Sequence, residues 1–276
     1  DAFGGMVLFS LFCGIATVVY VTATAEVLAG RTAAIVSGTV MAVGPLPVYF
    51  SVVGASYTTD MLYVSGMFFH GIRAIHRQSA KHFCLTAAWF VFGVLMRPLS
   101  AATSALGLFV IPLIWKSLKY CSLSAAAFIF SIVAYCWASV YEYGSMGAFL
   151  GASSIIERQV SGTSWQNVVT NTFRFLVYPA YSFNIWVLFS AATILRYWHL
   201  CKRNEACFVA AVVCPYMLIL LRYIPHAGYW CLVIPAMAIL PWLFIPSGDT
   251  LLPRSVRVVV GTHVLVSLMA FMLLRP

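Results

Sequence analysis

Five polar side chains stand where charge is expensive and chemistry is the usual reason to keep it: Asp60, Arg97, Arg222, Tyr223 and His226. Asp60 sits in Ser56-Tyr57-Thr58-Thr59-Asp60-Met61-Leu62-Tyr63, between two long apolar stretches, and is one of only seven acidic residues in 276. Two roles fit it. Following Thr58-Thr59 at a helix start, it caps orphan backbone N–H groups and suits the positive end of the helix dipole. As a carboxylate at a membrane surface, it can serve as a general base or orient an acceptor hydroxyl or amine. Arg97-Pro98 closes the run Phe90–Met96. Arg97 is either an interfacial arginine that snorkels to headgroups or a guanidinium that grips a phosphate. Arg222-Tyr223-Ile224-Pro225-His226 again lies between apolar runs. Its arginine offers bidentate phosphate contact, and its tyrosine and histidine can donate to a phosphate leaving group. Arg and Tyr there also fit a plain interfacial anchor.

The elements that carry these residues must be membrane helices. The chain is 62% hydrophobic and 8% charged, with a mean hydropathy of +0.94, whereas an ordinary soluble domain has about 25% charged residues. Its apolar stretches have the length that crosses a bilayer as a helix, and they lack the short alternating segments of a transmembrane barrel. The sequence therefore predicts an all-α, polytopic transmembrane bundle of about ten spans, forming one domain over 1–276. The spans run about 5–28, 33–53, 60–75, 82–96, 100–115, 121–141, 175–195, 206–221, 228–245 and 258–274. Gly44-Pro45-Leu46-Pro47 should bend the second, and Arg97-Pro98 should break the hairpin of the fourth and fifth. Residues 142–172 form the longest polar interval, a loop in which 153–160 can make a short interfacial helix.

Basic residues set the orientation. With Arg31 cytoplasmic, alternation puts Arg73, Arg77, Lys81, Lys116, Lys119, Arg196, Lys202, Arg203, Arg254 and Arg257 on the same side. Asp60, Arg97, Glu142, Glu157, Arg158, Arg174, Arg222, Tyr223 and His226 then share the non-cytoplasmic face. The net charge of +9 lies in short interhelical loops, which argues against a nucleic-acid partner. Glu26 reads as an interfacial charge, and Glu157-Arg158 as a solvated pair. The eight cysteines are scattered with no C-x-x-C pair and read as small buried apolar residues. The six histidines show no metal-ligand spacing, and there is no P-loop, G-x-G-x-x-G or G-x-S-x-G. Neither a metal nor a cofactor is expected.

Three patterns occur in order. Ala29-Gly30-Arg31-Thr32-Ala33-Ala34 leads through Gly44-Pro45 to Thr59-Asp60. Ala87-Ala88-Trp89-Phe90-Val91-Phe92-Gly93-Val94-Leu95-Met96-Arg97-Pro98 ends a helix on a basic residue. Arg222-Tyr223-Ile224-Pro225 precedes Ile234-Pro235-Ala236-Met237-Ala238. Together, over about residues 5–115 and 215–242, the chain resembles the GT-C superfamily of polytopic glycosyltransferases. The branch it is most similar to contains the dolichyl-phosphate-mannose protein mannosyltransferases and the aminoarabinose transferases of lipid A. The resemblance implies an enzyme that moves a sugar from a polyprenyl- or dolichyl-phosphate donor to a lipid, glycan or protein acceptor. It implies action on the non-cytoplasmic face of a bacterial inner membrane or the endoplasmic reticulum. By the same resemblance Asp60 matches the second acidic position of the active site, Arg97 the basic residue ending the fourth-span motif, and Arg222-Tyr223 the late Arg-Tyr motif. The family's principal acidic motif lies in a large outer loop after its first helix, and no such loop stands in this chain. A fragment of a longer protein is the expectation. Membrane lipid and the lipid-phosphate sugar are the expected partners. A transporter or flippase of lipid-linked or anionic solutes, and a non-catalytic paralogue, are the alternative readings.

Overall fold

The computed structural model describes residues 2–53, 57–148, 151, 165–220, 227–246 and 254–273, and every regular element among them is helical. Helix α1 (Ala2–Ala29) ends at Gly30, whose φ of 92° favours a residue without a Cβ. Helices α2 (Arg31–Val43) and α3 (Pro45–Val52) follow, bent by 57° at Gly44. The bend has a local cause. Pro45 sterically steers the residue before it away from helical geometry, and Gly44 is extended at φ −61°, ψ 130°.

Helix α4 (Tyr57–Arg77) is the axis of the molecule, with sixteen of its residues buried. Gln78 takes the left-handed conformation at φ 46°, and the Ser79 N–H reaches back to the Ala74 carbonyl at 3.3 Å, which satisfies an orphan acceptor and stops the helix. Helix α5 (Ala80–Met96) returns antiparallel along α4. Trp89 packs on Gly66 and Tyr63 on Gly93, where a Cβ would fall 2.5 Å and 2.7 Å from ring carbons. The fully buried Tyr63 ring contributes on the order of 1.5–3 kcal/mol in this way, and the partly buried Trp89 ring less.

The chain continues through α6 (Pro98–Thr103), α7 (Ala105–Trp115) and the long α8 (Leu118–Tyr143), which ends at Gly144 with φ 76°. Helices α9 (Trp165–Phe183), α10 (Ile185–Tyr197) and α11 (Arg203–Leu220) come next. A 3-10 turn (Ala227–Leu232), the short α12 (Ile234–Ile239), a second 3-10 turn (Leu240–Leu243) and α13 (Arg254–Leu273) complete the described chain.

Side-chain contacts fix the directions. Tyr20 lies against Phe69 and His70, and Cys13 is bonded to Thr58, so α1 runs parallel to α4. Phe208 packs on Phe68 and Gly71, while Tyr216 lies near Asp60, so α11 runs antiparallel to α4. One end of α4 thus carries Asp60, and the other carries Arg73 and Arg77.

Helices α1, α8 and α11 are each long and apolar enough to cross a membrane, and the bent pair α2–α3 makes a fourth if it is one span. The stretches Ala80–Met96, Ser100–Trp115, Ile234–Leu243 and Val256–Met272 are apolar but shorter. Exposed Leu8 and Phe12 on α1 and exposed Trp137 and Val133 on α8 give these helices apolar outer faces suited to hydrocarbon.

Three expected spans are interrupted. The stretch 228–245 is divided into a 3-10 turn, α12 and a second 3-10 turn. The stretch 100–115 breaks at Ser104, and 175–195 breaks at Asn184, where φ is 36°. Asn184 can hold that conformation because its side chain accepts the Ile185 N–H at 2.7 Å and donates to Ser267 at 3.3 Å. His263 braces the same joint. Its Nδ1 lies 3.1 Å from the Phe183 carbonyl and 2.9 Å from Asn184 Oδ1, and its Nε2 lies 3.2 Å from the Val40 carbonyl. The interval expected to be polar from 142 to 172 is entered from both sides by α8 and α9, and the interfacial helix expected at 153–160 lies outside the described residues. Glu26 is exposed. The cysteines are all free, but only Cys13 and Cys231 are buried; Cys84, Cys207 and Cys214 stand exposed. A cysteine is apolar enough to face either protein or lipid, so composition could not assign its side.

Candidate functional site

Asp60 and Arg97 meet. Asp60 lies in the first turn of α4 and Arg97 ends α5, so the antiparallel pairing of those helices brings both to one end of the hairpin. Arg97 Nε stands 3.2 Å from Asp60 Oδ2. Ser100 Oγ donates to Asp60 Oδ1 at 2.7 Å. The carboxylate has no exposed surface, while the arginine side chain keeps 19%. The two groups form an ion pair by distance, yet among the described residues Oδ2 has no aligned hydrogen-bond donor. Coulomb attraction tolerates that misalignment, whereas a hydrogen bond does not.

The arrangement follows from Pro98. Proline disfavours the helical conformation for the residue before it, and Arg97 swings to φ −148°, ψ 80° while its N–H still bonds the Gly93 carbonyl at 2.7 Å. Helix α6 restarts at once. Ser100 therefore falls three residues after Arg97, near enough for its hydroxyl to lie between the Arg97 carbonyl at 3.1 Å and Asp60 Oδ1. The charge-assisted bond to Asp60 is the shorter, and such bonds are the stronger kind.

An aromatic wall completes the site. Arg97 Cζ lies 4.3 Å from the centroid of the Tyr57 ring, a cation–π contact. Phe50 and Tyr229 meet Tyr57 edge-on. Gly228 lies against the same ring, where a Cβ would come within 2.5 Å of its carbons. Tyr216 and Cys231 also lie near Arg97.

The guanidinium is thus fixed by a carboxylate at one edge and an aromatic face beneath, and it remains partly accessible. Moving such a pair out of water costs several kcal/mol per ion, which the pairing must offset. Chemically, the arrangement is a preorganised cation able to take an anion on its open side. Asp60, with one oxygen bonded to Ser100 and no exposed surface, is placed here to orient Arg97.

Met61, the next residue after Asp60, lines an apolar groove of about 310 Å³ between α1 and the bent pair α2–α3. Leu11, Val18, Met41, Val48 and Val52 also line it, and the groove is open on one side. Arg222, Tyr223 and His226 lie outside the described residues. Among the described residues, no group of three or more His, Cys, Asp or Glu side chains is placed to hold a metal. Sequence reasoning missed Ser100 and Tyr57. Their signals were present: Ser100 is three residues past Arg97, the spacing at which side chains meet once a helix restarts, and Tyr57 is three residues before Asp60.

No family model, no curated protein and no solved structure matches the chain.

Proposed function

We propose that this chain is a multi-pass membrane glycosyltransferase body of the GT-C kind. It takes a sugar from a polyprenyl- or dolichyl-phosphate donor at the non-cytoplasmic face and gives it to a lipid, glycan or protein acceptor. The observation that carries the reading is the buried Asp60–Arg97–Ser100 cluster at a helix break, flanked by an apolar groove. A lipid-phosphate donor needs those two features side by side: a fixed cation for its phosphate and an apolar channel for its tail.

In this reading the shorter apolar helices also lie in the bilayer, for about ten crossings, and the basic loops set the active face outward. The acceptor hydroxyl attacks the anomeric carbon, the bond from that carbon to the phosphate oxygen breaks, and the lipid phosphate leaves as an anion. The hydroxyl proton passes to a carboxylate. Arg97 meets the charge developing on the leaving phosphate, and Asp60 and Ser100 keep it aimed. Arg222, Tyr223 and His226 are assigned to the same leaving group. The membrane is a bacterial inner membrane or that of the endoplasmic reticulum.

The 57° bend between α2 and α3 favours a second reading, since interrupted helices form solute sites in transporters. Reconstitution of the full-length protein into liposomes separates the two. The transferase reading expects release of polyprenyl phosphate from a sugar-loaded donor together with glycosylated acceptor. Passage of intact lipid-linked sugar across the bilayer, with no bond cleaved, would establish the transporter instead.

A further inference from the structure

We propose that the far end of the α4–α5 hairpin is a binding site for the phosphate of an anionic membrane lipid, built from Arg73, Arg77, Lys81, His70 and His82. The inference rests on the chain lying in a membrane and is independent of sugar transfer.

The cluster lies thirteen residues along α4 from Asp60, about 20 Å on a helix, and so at the opposite end of the hairpin from the candidate site. Arg73 and Lys81 act electrostatically on both histidines, and Arg77 acts on His82. No described carboxylate acts on either. Glu205, near the start of α11, is taken by His76 at 2.6 Å. Arg73, Arg77 and Lys81 make no ion pair with a described residue. The Arg73 guanidinium lies 4.5 Å from the centroid of the Phe69 ring, and its Nε is covered without an acceptor.

The cluster is rigid. His70 Nδ1 and His82 Nδ1 are 3.1 Å apart, with rings stacked at 5.4 Å and 26°. One nitrogen donates and the other accepts, which ties α4 to α5. Lys81 and His82 belong to the first turn of the seventeen-residue α5, whose N-terminal N–H groups add positive potential. Ser79 accepts from one of them at 3.5 Å.

Two imidazole nitrogens this close would also suit a metal ion, but three cationic side chains surround them and repel one. An anion meets no such opposition. The positions of the residues select its source. They end a helix whose other residues are mostly buried and which runs beside the membrane-length α1; with α1 across a bilayer this end stands toward the headgroups, and basic residues there draw anionic ones. A cation cluster that no described carboxylate neutralises is completed by such a headgroup.

The test uses the full chain in detergent micelles, titrated with phosphatidylglycerol or phosphatidylcholine, with bound lipid counted by native mass spectrometry. Phosphatidylglycerol should bind selectively. Each charge removed should weaken it about fivefold, and Arg73→Gln with Lys81→Gln about 30-fold. The exposed Arg77→Gln should weaken it about fivefold and serves if the double variant does not fold. Arg196→Gln with Arg257→Gln, basic residues of α10 and α13, should leave binding unchanged. Equal phosphatidylglycerol binding by the cluster variants, or equal loss in the Arg196/Arg257 control, overturns the site. Inorganic phosphate displacing the lipid at equal concentration overturns the assignment to a headgroup.

Discussion

Removing the two halves of the Asp60–Arg97 pair should hurt unequally, and removing both should hurt less than the sum. At 3.2 Å the gross attraction is about 5 kcal/mol for an effective dielectric of 20. The partners are not equally placed to survive alone. Arg97→Gln strands a carboxylate that has no exposed surface and, among the described residues, only Ser100 as a donor, at a cost of about 3–5 kcal/mol. Asp60→Asn leaves an arginine that is 19% exposed and still rests on Tyr57, so screening and the cation–π contact hold the loss to about 1–3 kcal/mol. The double variant removes the stranded charge as well as the attraction, and its loss should fall short of the sum by about 2 kcal/mol or more. Unfolding of the full-length protein in mild detergent by a titrated denaturing detergent reads all four states. Losses that add to within about 0.5 kcal/mol would show that the groups are independent. A larger loss from Asp60→Asn than from Arg97→Gln would refute the assignment of the stranded charge.

Three further substitutions probe the frame around the site. Ser100→Ala deletes the hydroxyl bonded to Asp60 at 2.7 Å and should cost about 1.5–3 kcal/mol in the same unfolding assay; an unchanged midpoint would show that the bond does not hold the carboxylate. Gly71→Ala places a Cβ 2.1 Å from the Phe208 ring and should cost about 1–3 kcal/mol by forcing α4 and α11 apart, read as a lower melting temperature. His263→Ala removes the brace of the Phe183–Asn184 joint. Amide exchange across 183–187 should rise, while exchange along α4 stays slow; a uniform rise throughout the protein would contradict a local role.

The helices were legible because their punctuation is. Gly44-Pro45 gave a bend and Arg97-Pro98 a helix end. The breaks at Ser104 and Asn184 were not, since neither involves proline or glycine; Asn184 is held at positive φ by His263 and Ser267 from α13, a tertiary cause that no local pattern carries. Counting alternations put Asp60 and Arg97 at the same end of successive helices, and the antiparallel pairing of α4 and α5 brings them together. What counting could not show is how closed the pair is. Ser100 and Tyr57 read as ordinary helix residues until Pro98 and the packing of Gly228 bring them to the two charges. The buried reading of Cys84, Cys207 and Cys214 failed for a related reason: an apolar helix surface in a membrane protein need not face the protein.

In the proposed reaction Arg97, held by Asp60, receives the phosphate of a lipid-linked sugar. The decisive measurement is turnover of a radiolabelled polyprenyl-phosphate sugar by the full-length protein in proteoliposomes. Wild type should release polyprenyl phosphate, Arg97→Ala should lose about 10²–10³-fold in kcat, and Arg97→Lys should keep part of the activity because the charge remains without its planar fork. Undiminished turnover by Arg97→Ala, or no cleavage of any lipid-phosphate donor by the wild type, would contradict it.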